Sequence, residues 1–209
     1  MKSLFKSFLR KKDEASVEGL NHVSNLQSGD MVELDNDFSL PGLLRGRTLE
    51  VVQKTLYEYE DSNEIEWVLK NEDSTVVFLA YQQDDGEENL SFSMKLIPSD
   101  VESIFNMDEF STVFDDEHSS ILTEINPIEK YSEWLGKRYS RTEFAEQGFY
   151  HKTGSVSGQG EAFDYFALRS DCERFGIGIE VWEGGETDVF ASINQPLSVI
   201  KDYWGQKTS

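Results

Sequence analysis

One cysteine, Cys172, stands in 209 residues. No disulfide can close within the chain, and this usage fits a reducing compartment. The three histidines, His22, His118 and His151, are far apart and never at helical spacing, which with a single thiol argues against zinc. No apolar run approaches the ~20 residues that cross a bilayer. The N-terminal apolar patch, interrupted by Lys6 and Ser7, is shorter than the ~7–15 residue core of a secretory signal. These absences predict a cytoplasmic protein. Positive charge is also scarce, with 19 Lys and Arg against 40 Asp and Glu and a net charge of −21. No basic stripe runs through the body, so nucleic acid is excluded as a partner.

Catalytic signatures are missing as well. Asp171 and Glu173 flank Cys172, and neighbouring carboxylates raise a thiol's pKa, which works against a nucleophile. Residues 154–160 read Gly-Ser-Val-Ser-Gly-Gln-Gly but lack the Gly-Lys-Ser/Thr ending of a phosphate loop. Asp84, Asp85, Glu87 and Glu88, and then Asp115, Asp116 and Glu117, are oxygen-rich. Neither group has the Asp-x-Asp-x-Asp-Gly spacing that wraps calcium. The expectation is a protein that is not an enzyme and carries no cofactor and no metal.

What is present begins at the N-terminus. Lys2, Lys6, Arg10, Lys11 and Lys12 place five positive charges in twelve residues with no negative one among them. Leu4, Phe5, Phe8 and Leu9 are spaced to share one side of a helix, with Lys2, Lys6 and Arg10 largely opposite. As a helix the segment spans ~18 Å, and each basic residue near anionic lipid contributes ~1 kcal/mol. These nine residues are the candidate membrane- or partner-binding site. The plainer reading is a frayed tail or a helix folded back on the acidic body.

The body carries 14 Phe, 8 Tyr and 4 Trp, which argues for a folded interior. Strands are predicted at 48–59, 65–69, 76–81 and 90–97, with Asp84-Asp85-Gly86 as a hairpin turn. Further strands follow at 163–168, 175–182 and 189–193, with a turn at Glu183-Gly184-Gly185. The two sets align without a gap at an offset of 99, with Leu69 over Leu168, Val76 over Phe175, Phe78 over Ile177, Ala80 over Ile179 and Ser93 over Ser192. Three short helices are predicted. One is capped by Ser99 with Glu102. One runs from Asn126-Pro127 through Tyr131 and Trp134, and one from Pro196 through 197–204. The fold class expected is α+β, mainly antiparallel β: two related β-rich lobes, barrel- or sandwich-like, with three short helices and the N-terminal amphipathic helix. The expected divisions are 1–25, basic segment and linker; 26–110, first lobe with its helix; 111–125, acidic connector; and 126–209, second lobe.

A pattern runs from Leu26-Gln27-Ser28-Gly29-Asp30-Met31-Val32-Glu33-Leu34 through Leu49-Glu50-Val51-Val52 and Tyr57-Glu58-Tyr59 to Trp67. It continues from Tyr139 through Phe163-Asp164-Tyr165-Phe166 to Ile179-Glu180-Val181-Trp182-Glu183. Over 26–97 and 138–193 this resembles a bacterial β-rich family of unknown function. Its members are often encoded beside phage-shock-protein-A-like membrane-remodelling proteins, small membrane proteins and polyamine-synthase-like enzymes. The family has no established catalytic residues, so none is carried over. The resemblance implies an accessory role in an envelope-associated system. The leading expectation is therefore a non-enzymatic adaptor or regulator of a bacterial envelope-stress system, at the inner face of the membrane. It would bind a basic protein partner or a membrane-remodelling protein, with residues 1–12 on an anionic surface. The alternative is an immunity, antitoxin-like or nucleic-acid-mimic inhibitor. The third possibility is a polyamine- or ligand-binding protein, or an enzyme, with a site between the lobes.

Overall fold

The computed structural model describes residues 20–84, 87–156 and 158–206. The candidate site at residues 1–12 lies outside them. Among the described residues, eleven strands form one antiparallel sheet: β1 (Met31–Leu34), β2 (Thr48–Tyr59), β3 (Asn63–Lys70), β4 (Val76–Asp84), β5 (Glu87–Leu96), β6 (Ile121–Thr123), β7 (Arg138–His151), β8 (Glu161–Ser170), β9 (Phe175–Trp182), β10 (Thr187–Pro196) and β11 (Ile200–Trp204). Their order is β11-β1-β2-β3-β4-β5-β10-β9-β8-β7-β6, and a further β2–β7 pairing bends the sheet back on itself. β2 to β5 and β7 to β10 are meanders of the same order, joined along β5–β10 by a ladder from Val189↔Leu96 to Pro196↔Asn89. The second seam is short, Leu56↔His151 to Tyr59↔Gly148. The result is not a clean barrel, because β1, β6 and β11 lie outside the ring.

Alternation sorts the side chains by face. Trp67, Leu69, Val77, Leu79, Phe92, Ile177, Ile179, Ala191 and Ile193 point to the outer face and belong to one apolar cluster. Val23, Leu26, Leu40, Leu44, Ile104, Phe105 and Trp134, from the segments outside the strands, join the same cluster. Trp67 ties the layers together, its indole donating to the Leu26 carbonyl at 3.1 Å. Each Val, Leu, Ile or Phe side chain among them, when fully buried, contributes ~1.5–3 kcal/mol. The inner face carries the polar partners of the alternation.

The ungapped offset of 99 needs correction in one strand pair. Val77 and Leu79 are buried in the outer cluster, as are Ile177 and Ile179. Phe78 and Ala80 pair with Ser93 and Ser91 on the inner face. Aligning Phe78 with Ile177 therefore superposes opposite faces. Five residues separate β3 from β4 and four separate β8 from β9, so a one-residue gap there, reversed in the following hairpin, restores the faces. Ser93 pairs with Ser192 at the junction of the meanders.

Among the described residues there are two α-helices, α1 (Pro98–Ile104) and α2 (Met107–Thr112). α1 begins one residue before the capping box foreseen at Ser99. Ile97 is its N-cap without a side-chain bond, and Pro98 takes the first turn, where a missing N–H is harmless. α2 was not foreseen; Asn106 caps it by accepting from the N–H groups of Asp108 and Glu109. The helix expected after Asn126 is only a 3₁₀ turn, Glu129–Tyr131. Tyr131, Trp134 and Leu135 are all buried there, so packing decides the backbone. The helix expected after Pro196 is a 3₁₀ turn followed by β11, which pairs with β1 from Met31↔Trp204 to Leu34↔Ile200. An open strand edge outcompeted local helical spacing. Residues 111–125 contain the end of α2, a turn and β6. The Arg141 guanidinium gathers that turn by donating to the carbonyls of Val113 (2.8 Å), Asp115 (2.6 Å) and His118 (2.8 Å).

The β2–β7 seam needs a glycine. A Cβ on Gly148 would sit 2.5 Å from Phe163 Cζ and 3.1 Å from Tyr59 Cε1. Phe163 cannot swing away, because its ring contacts Tyr57, Tyr59 and Trp182. Gly148→Ala is therefore expected to destabilise the fold by about 1–3 kcal/mol, read as a lower urea midpoint at unchanged slope.

Candidate functional site

The inner face of the ring encloses two adjoining chambers. The first, about 320 Å³, takes lining residues from all eight ring strands, among them Tyr59, Glu64, Gln82, Ser93, Thr142, Tyr165, Gly178 and Ser192. The second, about 700 Å³, extends toward the 159–162 segment and the β9–β10 turn, past Lys95, Tyr150, Trp182 and Asp188. Tyr57, Glu66, Glu180 and Phe190 line both. They form the waist.

Pairing places these side chains. Thr55, Glu66 and Ala80 are neighbours across β2, β3 and β4, and Tyr165, Glu180 and Asp188 across β8, β9 and β10. Curvature then brings distant strands together. Phe78 of β4 meets the Phe190 ring of β10 edge-on at 5.5 Å. The Tyr57 hydroxyl of β2 approaches Glu180 of β9 from across the interior. Tyr57, Tyr150, Phe163 and Trp182 form a continuous aromatic wall with centroids 5.3 to 5.8 Å apart. Gly178 makes room for Tyr165, since a Cβ there would lie 3.2 Å from the Tyr165 hydroxyl.

Three glutamates point into this space. Glu180 is 6% exposed. Burial pushes its carboxyl up to about 7; Tyr57 opposes the rise and the Asp188 charge adds to it. Burial also drives Glu66 well above the usual carboxylate range, helped by the charges of Glu180 and Glu64. Glu64 is raised by burial, against a hydrogen bond from Gln82. Glu66 accepts weakly from the Thr55 hydroxyl at 3.4 Å. At the rim, burial and then the Glu143 charge raise Glu146. Burial raises the phenols of Tyr57, Tyr59 and Tyr165 too, so they stay neutral donors at physiological pH.

Among the described residues, positive charge reaches the chambers only at their edges. Arg169 and Lys95 are the basic lining residues, both are exposed, and Lys95 is already held by Asp188 at 2.6 Å. Among the described residues no group of three His, Cys, Asp or Glu is disposed to hold a metal ion. The interior is an acidic, aromatic-walled space suited to an organic cation.

The residues singled out by sequence fall elsewhere. Cys172 is exposed, and the expected rise of its thiol pKa is reversed: the Ser170 hydroxyl, 3.4 Å away, holds it below its ordinary value, with the Arg174 N–H helping. His118 sits on the surface against Asp115 at 2.9 Å. His151 is buried at the seam, its Nε2 2.8 Å from Glu58. Trp67 and Trp134 are core, while Trp182 faces the second chamber. Glu64, Glu66 and Glu180 were not singled out. The available signal was Glu180, a carboxylate inside the otherwise uncharged run Phe-Gly-Ile-Gly-Ile-Glu-Val-Trp.

The raised Glu180 has a pH consequence. An unfolded glutamate titrates near ~4.3. Between that value and about 7 the native state keeps a proton that the unfolded chain has released. Stability from this group is thus full below the window and lost as pH rises through it. Glu180→Gln is expected to stabilise the protein by about 3 kcal/mol at pH 8, from a displacement of this size. It should leave stability nearly unchanged at pH 4.5, as thermal unfolding of both proteins across pH would show.

Among the described residues no helix is long and apolar enough to cross a membrane. No curated protein and no solved structure matches the sequence. Residues 41–195, which include every residue lining the two chambers, match the family described as Domain of unknown function (DUF4178), and the chain belongs to that family.

Proposed function

We propose that the chain is a non-enzymatic binding module that takes a cationic group into the interior of its closed sheet. The carrying observation is Glu180, buried at the waist with Glu66 on the other side of the chamber and the nearest lysine committed to Asp188. A buried carboxylate without a countercharge is costly. A cation entering the waist supplies that charge, and the Tyr57, Tyr150 and Trp182 rings offer it π faces. The chambers suit a small organic amine or a single basic side chain. In this reading the basic partner expected from the net charge is met inside the ring, and the two meanders are halves of a duplicated unit that close around it. Residues 1–12 would hold the module at an anionic membrane surface in an envelope-stress system, the setting that the resemblance noted in the sequence implies.

Choline and 3,3-dimethyl-1-butanol share a shape and differ in charge. Titration calorimetry is expected to show choline and spermidine binding at pH 7.5 and the neutral alcohol failing to bind. Replacing both Glu66 and Glu180 by Gln should weaken choline at least tenfold, about 1.4 kcal/mol. Equal binding of the alcohol, or no binding of either cation, overturns the reading.

A further inference from the structure

We infer that this interior, resting on the reading of it as a cation site, exchanges protons for its ligand: the entering cation displaces protons held by the facing glutamates, so occupancy and pH are coupled. The geometry carries the inference. Glu66 and Glu180 stand on β3 and β9 and line both chambers, with Glu64 two residues along β3 from Glu66. Their side chains converge from opposite walls, where each ionised group opposes the others' ionisation.

The groups facing them leave little alternative to protonation. β2 presents Tyr57 and Tyr59, and β7 presents Tyr150, all phenols that burial keeps protonated. β4 presents the neutral Gln82 and Ala80, and β8 presents Tyr165. From β5 comes Lys95, joined to Asp188 of β10 in a pair that is neutral overall. Arg169 of β8 is exposed at one edge. The rim carries Glu143 and Glu146 of β7 on one side and Glu161, Glu183 and Glu186 on the other, adding negative potential at both chambers. An empty interior therefore neutralises itself with protons. A cation at the waist performs the same task, and the displaced proton leaves to buffer, which conserves charge and atoms. The burial that raises Glu180, Glu66 and Glu64 agrees with this exchange.

Choline is the probe, because its own charge does not titrate. Calorimetric titrations at pH 7 in phosphate and in MOPS, whose ionisation enthalpies differ and neither of which carries net positive charge to compete for the site, count the protons moved on binding. Net proton release is expected, with affinity rising roughly three- to tenfold from pH 6 to pH 8 and release fading at pH 9. Glu180→Gln should reduce the release, and wild-type titrations across pH decide the matter without that variant. Choline binding with equal heats in both buffers, and an affinity flat across pH, overturns the exchange while leaving the cation site standing. No choline binding by the wild-type protein overturns both.

Discussion

Closure of the sheet between β2 and β7 turns a meander with one wet face into an enclosed space, and everything proposed for the interior follows from it. An open antiparallel sheet keeps its polar face in water, where Glu64, Glu66, Ser91, Ser93 and Ser192 would be ordinary solvated side chains. With the ladder from Leu56↔His151 to Tyr59↔Gly148 in place, that face turns inward. The seam is held by more than its ladder: Glu58 meets His151 at 2.8 Å, and the rings of Tyr57 and Tyr150 pack at 5.3 Å. Both seam strands carry irregularities, between Val51 and Gln53 in β2 and on either side of Glu143 in β7. Bulges bend a strand and sharpen its twist. They let β2 pair with β1 at its start and β7 at its end, while β7 moves from β6 to β2.

Much of this was legible in the sequence, for identifiable reasons. β2 and β9 were read to the residue, because β-branched and aromatic side chains alternate there between turn residues. The mostly antiparallel sheet followed from the same alternation. What failed was local reading where tertiary structure decided. The 196–204 segment has helical spacing, yet β1 offered an edge and Ile200–Trp204 took it. Residues 138–151 carry polar side chains at most positions and gave no alternation, but they form the longest strand because β6, β8 and β2 all pair with them. The ungapped repeat slipped by one residue in β4, enough to move every side chain to the other face.

The site stayed hidden for a related reason. Glu64 and Glu66 alternate with Ile65 and Trp67, which reads as polar outside and apolar inside. The periodicity was right. Whether the polar face meets water or a cavity depends on curvature, which a two-residue period does not encode. Closure comes from contacts 93 residues apart, such as Tyr57 with Tyr150, and no local pattern announces them.

The carboxylates divide into two populations, and the division separates solubility from binding. Asp37, Asp73 and Asp115 lie on the surface and are held below the usual range by hydrogen bonds to nearby backbone N–H groups or hydroxyls, from Ser39, Thr75 and Glu117 respectively. Their charge is spent on local turns and stays fixed across physiological pH. Glu64, Glu66 and Glu180 are pushed the opposite way by burial. A chain selected only for stability would replace them with apolar residues, since buried ionisable groups rarely improve on a packed core. Their presence beside an aromatic wall, in a space larger than the side chains fill, is how binding sites differ from cores. The surface charge accounts for most of the net −21; the inner three are the ones whose state a ligand can change.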